Sequence, residues 1–185
     1  MPLSVLLLFV LEKYCVFGYN GNMLTSGKPK VYVESSTISY LTARPTRDII
    51  VNAKQELTRE WWEYRERYEL FISETVIEEI EKGDLEAARL RLQTIQGIPV
   101  LNIDECVDRL AETFLNFDVV PGNSGADARH IAFAAVFGMD FLITWNQRHI
   151  AAERKRRQVE AIIEGFALKP PRLLTPEQHL IFEET

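Results

Sequence analysis

From residue 31 onward the chain alternates two spacings of apolar residues. VYVES (31–35) is a β-branched run that reads as a strand. It passes through STISYLT into RPTRDIIVNAKQELTREWWEYRERY (44–68), a long helical pattern with Pro45 near its start. ELFIS (69–73) is a second strand. Two helices follow, ETVIEEIEKGD stopped at Gly83 and LEAARLRLQTIQG stopped at Gly97, because glycine accepts the left-handed conformation that ends a helix. IPVLNI (98–103) is a third strand, and Asp104 then opens the helix ECVDRLAETFLNF. After DVVPGNSG comes ADARHIAFAAVFG (126–138), an alanine-rich, largely apolar helix that should be heavily buried. DFLIT is the fourth strand, and a last long helix over roughly 150–168 leads into KPPRLLTP. Strands alternating with helices predict an α/β fold, a three-layer α/β/α sandwich around a central, mostly parallel sheet. No repeat, low-complexity tract or linker breaks 31–185, so it reads as a single domain.

Residues 1–30 do not join this pattern. VLLLFVL (5–11) is seven residues long, against the roughly 20 needed to span a bilayer. No positive charge precedes it, as a secretory signal would require. The segment reads as an extension outside the core, with Met23 available as a start before the first clear element; an added strand or packing helix is the other reading. Composition changes the picture little: 46% hydrophobic and 26% charged residues in 185 are enough for one substantial core. The net charge of −6 argues against a protein that coats nucleic acid non-specifically, but leaves room for a local basic patch. Cys15 and Cys106 lie far apart without metal-type spacing, which predicts a reduced cytoplasmic protein with no disulfide, while the shortness of VLLLFVL predicts no membrane segment.

Candidate chemistry gathers at strand ends. Glu34 ends the first strand, Glu78 and Glu79 lie on the short helix after the second, Asp127 opens the alanine-rich helix, and Asn146 follows the fourth strand. Each has an ordinary role available. Asp104 and Asp127 suit helix amino termini, the Glu pair suits a solvated face, and Asn146 suits a turn. In a parallel sheet, however, the carboxyl ends share one edge, where ligands collect. Three carboxylates and one amide oxygen there make a hard-oxygen set without thiolate or imidazole, suited to Mg²⁺ or Mn²⁺ rather than Zn²⁺. Like charges held so close repel, which itself argues for a cation.

The segments VYVESSTISYLTARPTRD, FISETVIEEIEKGD and GADARHIAFAAVFGMDFLITWNQRHI, in that order, resemble the PIN-domain nucleases, and within them the VapC-like toxins of type II toxin–antitoxin systems. The resemblance covers about residues 31–150, and its last segment is the most specific. It implies a metal-dependent ribonuclease whose acidic cluster falls on Glu34, Glu79, Asp127 and Asn146, with Glu34, Glu79 and Asp127 as metal ligands. Glu34 stands where Asp is commoner, and Asn146 is neutral. The small hydroxyl residues of the family fall on Ser36 and Thr144, which would hold solvent near the metal. Glu78 lies one step round the helix from Glu79 and faces away.

That resemblance implies hydrolysis of RNA phosphodiesters with Mg²⁺ or Mn²⁺, a cognate antitoxin protein as partner, and RNA as substrate. Arg44, Arg47 and Arg148 are candidates for phosphate contacts. Arg154, Lys155, Arg156 and Arg157 spread right round a helix at about 100° per residue, so they cannot all face RNA. His130, three residues after Asp127, reads as a packed, hydrogen-bonded core histidine, and Trp145 as a packing residue at the rim. YELFIS (68–73) and the Trp61–Trp62 pair could supply a homodimer patch, unless they are simply buried. The alternative function is a non-catalytic RNA- or protein-binding module with a partly degraded site; a third is a metal phosphoesterase acting on small substrates.

Overall fold

The computed structural model describes residues 27–120, 125–146 and 153–183. VLLLFVL and Arg148 lie outside them. Five strands, β1 (Lys30–Val33), β2 (Glu69–Ser73), β3 (Val100–Leu101), β4 (Phe141–Ile143) and β5 (Arg172–Leu174), form one sheet in the order β3-β2-β1-β4-β5. Every pairing is parallel. Eight helices are described: α1 (Ser35–Thr42), α2 (Ile49–Glu63), α3 (Glu74–Ile80), α4 (Leu85–Thr94), α5 (Glu105–Asn116), α6 (Gly125–Val136), α7 (Glu153–Gly165) and α8 (Pro176–Glu183). α1 packs with α2, α3 and α4, and α8 joins through α2; α5 packs with α6 and α7. The sheet between these two groups makes the three-layer α/β/α sandwich that the alternating pattern predicts.

β1 is buried on both faces: Val31, Tyr32 and Val33 have no exposed surface. That is the mark of a central parallel strand covered by helices above and below. From β1 the chain runs outward to β2 and β3, then returns past β1 to lay down β4 and β5. The carboxyl ends of β1 and β4 therefore border the crevice where strand order reverses. The helical layer of α5, α6 and α7 is anchored by α6, whose Ile131, Ala132, Phe133 and Ala134 have no exposed surface. Acids and hydroxyls set the helix starts, Asp48, Ser73, Asp84 and Asp104 each accepting a backbone N–H of the first turn.

Three boundaries differ from the pattern. The first strand stops at Val33, because Glu34 caps α1 with its side chain, so STISYLT is a helix in its own right. The stretch 44–68 begins with a connection rather than a helix: Asp48, not Pro45, starts α2, and a 3-10 turn (Arg65–Arg67) closes it. KPPRLLTP holds a fifth strand. With only three residues between its proline- and threonine-bearing flanks it offers no periodicity to read, yet its main chain completes the sheet beside β4. Trp61 is fully buried, its indole N–H donating to His179 Nδ1 at 2.8 Å, so that half of the Trp61–Trp62 pair presents no surface to a second copy. No helix among the described residues is long and apolar enough to cross a membrane.

Candidate metal centre

Glu34 leaves β1 and folds its carboxylate back over the start of α1. Oε2 accepts the Ser36 N–H at 3.0 Å and the Ser36 hydroxyl, while the Ser35 hydroxyl donates to Oε1 at 2.7 Å. A further donor crosses from the neighbouring strand end, Thr144 Oγ1 to Oε2 at 2.7 Å. The carboxylate is 3% exposed, and these four donors stand in for the water it has lost. Ser36 and Thr144 pass the network on. The Trp145 N–H donates to Ser36 Oγ and the Asn146 N–H to Thr144 Oγ1, each at 2.9 Å, which fixes the turn after β4 against α1.

α3 brings Glu79 to the same place. Its Oε2 lies 2.9 Å from His130 Nε2, and since a carboxylate only accepts, Nε2 carries the hydrogen. The other ring nitrogen, Nδ1, lies 2.7 Å from the Tyr32 hydroxyl, which lies 2.7 Å from Ser73 Oγ. Ser73 Oγ accepts the Val76 N–H that it caps, at 3.4 Å. A buried row of polar groups thus runs from the head of α3 through β1 to α6 and back to Glu79. His130 Nε2 is also 3.9 Å from Glu34 Oε1. Ligand atoms of Glu34, Glu79 and His130 all lie within 4.8 Å of one another. Asp127, one turn before His130 on α6, accepts the Asn146 side-chain N–H at 2.7 Å on Oδ1.

The charges are mutually adjusted. Burial by itself would lower the His130 pKa, but the Glu79 hydrogen bond and the charges of Glu34, Glu79 and Asp127 outweigh it and raise the pKa above its ordinary 6.5. Burial would raise Glu79, yet the hydrogen bond and charge of His130, a Ser35 hydrogen bond and Lys82 bring it below its ordinary 4.5. Tyr32 is pushed well above its ordinary range by burial, with the two glutamates adding to the effect despite its bond to Ser73. Three acids therefore act on one imidazole. Their donor chemistry fits a hard divalent cation such as Mg²⁺ or Mn²⁺, which would relieve the repulsion among three carboxylates.

Neither a protein-family model nor a curated protein sequence matches the chain. Among solved structures, it is similar to a chain in the crystal structure of VapBC2 from Rickettsia felis bound to a DNA fragment from their promoter. The two are 11% identical, the match covers 79% of this chain and 98% of that one, and the TM-score is 0.49.

The structure brings Glu34, Glu79, Ser36 and Thr144 into one cluster, with Asn146 holding Asp127 at its edge. Glu78 is exposed. Arg44 and Arg47 are exposed in the connection between α1 and α2 and form no ion pair with these acids. His130 has the burial and hydrogen bonds of a core histidine, but its partner is Glu79, so the cluster contains an imidazole where the sequence suggests oxygen alone. Tyr32, Ser35 and Ser73 are the members that sequence reasoning missed. Tyr32 could have been found, since residues two apart on a strand share a face and Tyr32 stands two before Glu34. Ser73 could also have been found, as the hydroxyl preceding the helix that carries Glu79.

Proposed function

We propose that the protein is a metal-dependent endoribonuclease of the toxin type, hydrolysing RNA phosphodiesters at the centre formed by Glu34, Glu79, Asp127 and Asn146. The observation that carries this is the convergence of Glu34, Glu79 and His130, with Asp127 one turn away, at the sheet edge where strand order reverses. Glu34, Glu79 and Asp127 would hold Mg²⁺ or Mn²⁺. When bound, the cation supplies charge stabilisation to the phosphate and activation of the attacking water. The protein's own groups do the positioning. Ser36 and Thr144 fix Glu34, His130 and Tyr32 fix Glu79, and Asn146 fixes Asp127, so each acid is held before substrate arrives. A cognate antitoxin that covers this edge is the partner such an activity calls for.

The test is cleavage of total RNA by purified protein with Mg²⁺ or Mn²⁺ and with chelator. Metal-dependent cleavage that Asp127→Asn abolishes, while the variant stays folded by circular dichroism, is the expected result. RNA binding without cleavage under any metal would replace this reading with the non-catalytic binding module. Hydrolysis of small phosphodiesters with intact RNA left uncut would replace it with the phosphoesterase.

A further inference from the structure

An acidic chain that cuts a polyanion needs cations placed close to its acids, and Arg44 and Arg47 on the connection between α1 and α2 are exposed. The turn after β4 supplies another candidate. Lys54 of α2 is partly buried between two rings, its Nζ 5.2 Å from the centroid of Trp145 and 5.5 Å from that of Tyr40. The rings themselves meet at 5.8 Å with their planes 54° apart. Among the described residues no carboxylate pairs with Lys54. Aromatic faces attract an ammonium but do not neutralise it or use its N–H donors in ordinary hydrogen bonds. The charge is therefore held in place and kept available.

Its position is tied to the acids bond by bond. Glu34 accepts the Ser36 hydroxyl, and Ser36 Oγ accepts the Trp145 N–H at 2.9 Å. The Trp145 indole N–H donates to Thr58 Oγ1 at 2.8 Å, and Thr58 Oγ1 donates to the Lys54 carbonyl at 2.6 Å. Tyr40 stands four residues after Ser36 on α1, about 6 Å further along the helix axis and on the same face. We propose that Lys54, held by Tyr40 and Trp145, is a substrate-positioning residue that takes the RNA phosphate next to the one being cut. The proposal rests on the ribonuclease reading above and adds to it where the strand lies: across the α1–α2 side of the centre, over the turn after β4.

The test uses Lys54→Met, which keeps the stem packed between the rings and removes the charge, and Lys54→Arg, which keeps the charge. Binding of a short fluorescent single-stranded RNA is followed by anisotropy in the Asp127→Asn background, and cleavage is measured with Asp127 intact. Lys54→Met should weaken binding about tenfold, the order of one charge-assisted hydrogen bond. It should also make the dependence of log affinity on log salt shallower by about 0.7, one phosphate contact on a single strand. KM should rise with kcat little changed, and Lys54→Arg should restore both readouts. An unchanged affinity and salt slope in Lys54→Met, with the parent cutting RNA, would overturn the proposal and leave the ribonuclease reading standing. A fall in kcat at unchanged affinity would overturn it as well, because Lys54 would then act through the fold. A parent that neither binds nor cuts RNA would overturn both.

Discussion

Replacing Tyr32 by phenylalanine removes one oxygen from the middle of the row that orients His130. The ring should stay where it is, stacked on Phe133 with centroids 6.2 Å apart and planes 12° apart. What is lost is the hydroxyl that faces His130 Nδ1 at 2.7 Å, in a histidine with no exposed surface. Ser73 Oγ keeps the Val76 N–H, so the loss amounts to about one buried polar group without its partner. That costs on the order of 2 kcal/mol, and for a chain of this length about 2 kcal/mol lowers Tm by roughly 4–8 °C. The measurement is thermal and urea denaturation of the chelator-treated protein, Tyr32→Phe against the parent. Ser73→Ala serves as the control that removes the other end of the row. A Tyr32→Phe protein as stable as the parent, or more so, would show that the hydroxyl is not what holds His130. The Ser73–Tyr32–His130 row would then have no orienting role.

The same geometry sets further expectations. In the metal-free protein, the raised His130 pKa means its contribution to stability is complete below about pH 6.5 and is lost as pH rises through the higher folded value. The lowered Glu79 pKa means its contribution is complete above about pH 4.5 and is lost as pH falls through the lower folded value. Denaturation across pH should therefore show a maximum between these limits with a decline toward alkaline pH, and His130→Gln should remove the alkaline decline. Glu79→Gln should reduce RNA cleavage by at least about tenfold and Glu78→Gln by less than about twofold, measured as initial rates with Mg²⁺; the reverse order would place the wrong face of α3 at the centre. Glu34→Asp draws the carboxylate back by about 1.5 Å, one carbon–carbon bond, away from Thr144 and Ser36. It should weaken Mg²⁺ binding by calorimetry, with partial rescue by Mn²⁺, whose coordination tolerates more distortion than the near-ideal octahedron Mg²⁺ demands.

The parallel sheet was legible because each long helix carries a 3.6-residue pattern and each inner strand is a continuous apolar run between turn residues. β5 was not, since three residues at a sheet edge carry no period and gain their identity only from the main chain of β4. α1 was hidden for another reason: threonine, isoleucine and tyrosine in STISYLT favour strands by local preference, and the Glu34 cap together with burial of Thr37 and Ile38 overrides it. In the site, strand-end position alone was enough to single out Glu34, and the head of a buried helix enough to single out Asp127. The hydrogen-bond partners were not readable, because Tyr32, Ser73 and His130 come from β1, the end of β2 and α6 and meet only after the layers close. Their spacing along the chain contains no trace of it.

The bond from Thr144 to Glu34 joins residues 110 positions apart. At about 5–20 residues per second, a ribosome needs roughly 5–20 s to travel that distance. Throughout that interval β1 exists without its partner β4, and Glu34 without Thr144, Trp145 or Asn146 around it. A chain that stalls, is cut short or folds only through β3 therefore has three of the five strands and an acidic cluster without Asp127, Thr144 and Asn146. On the ribonuclease reading the substrate class includes the message being translated, and the order of the strands then acts as a safety catch: nothing can be cut until nearly all of the protein has been made.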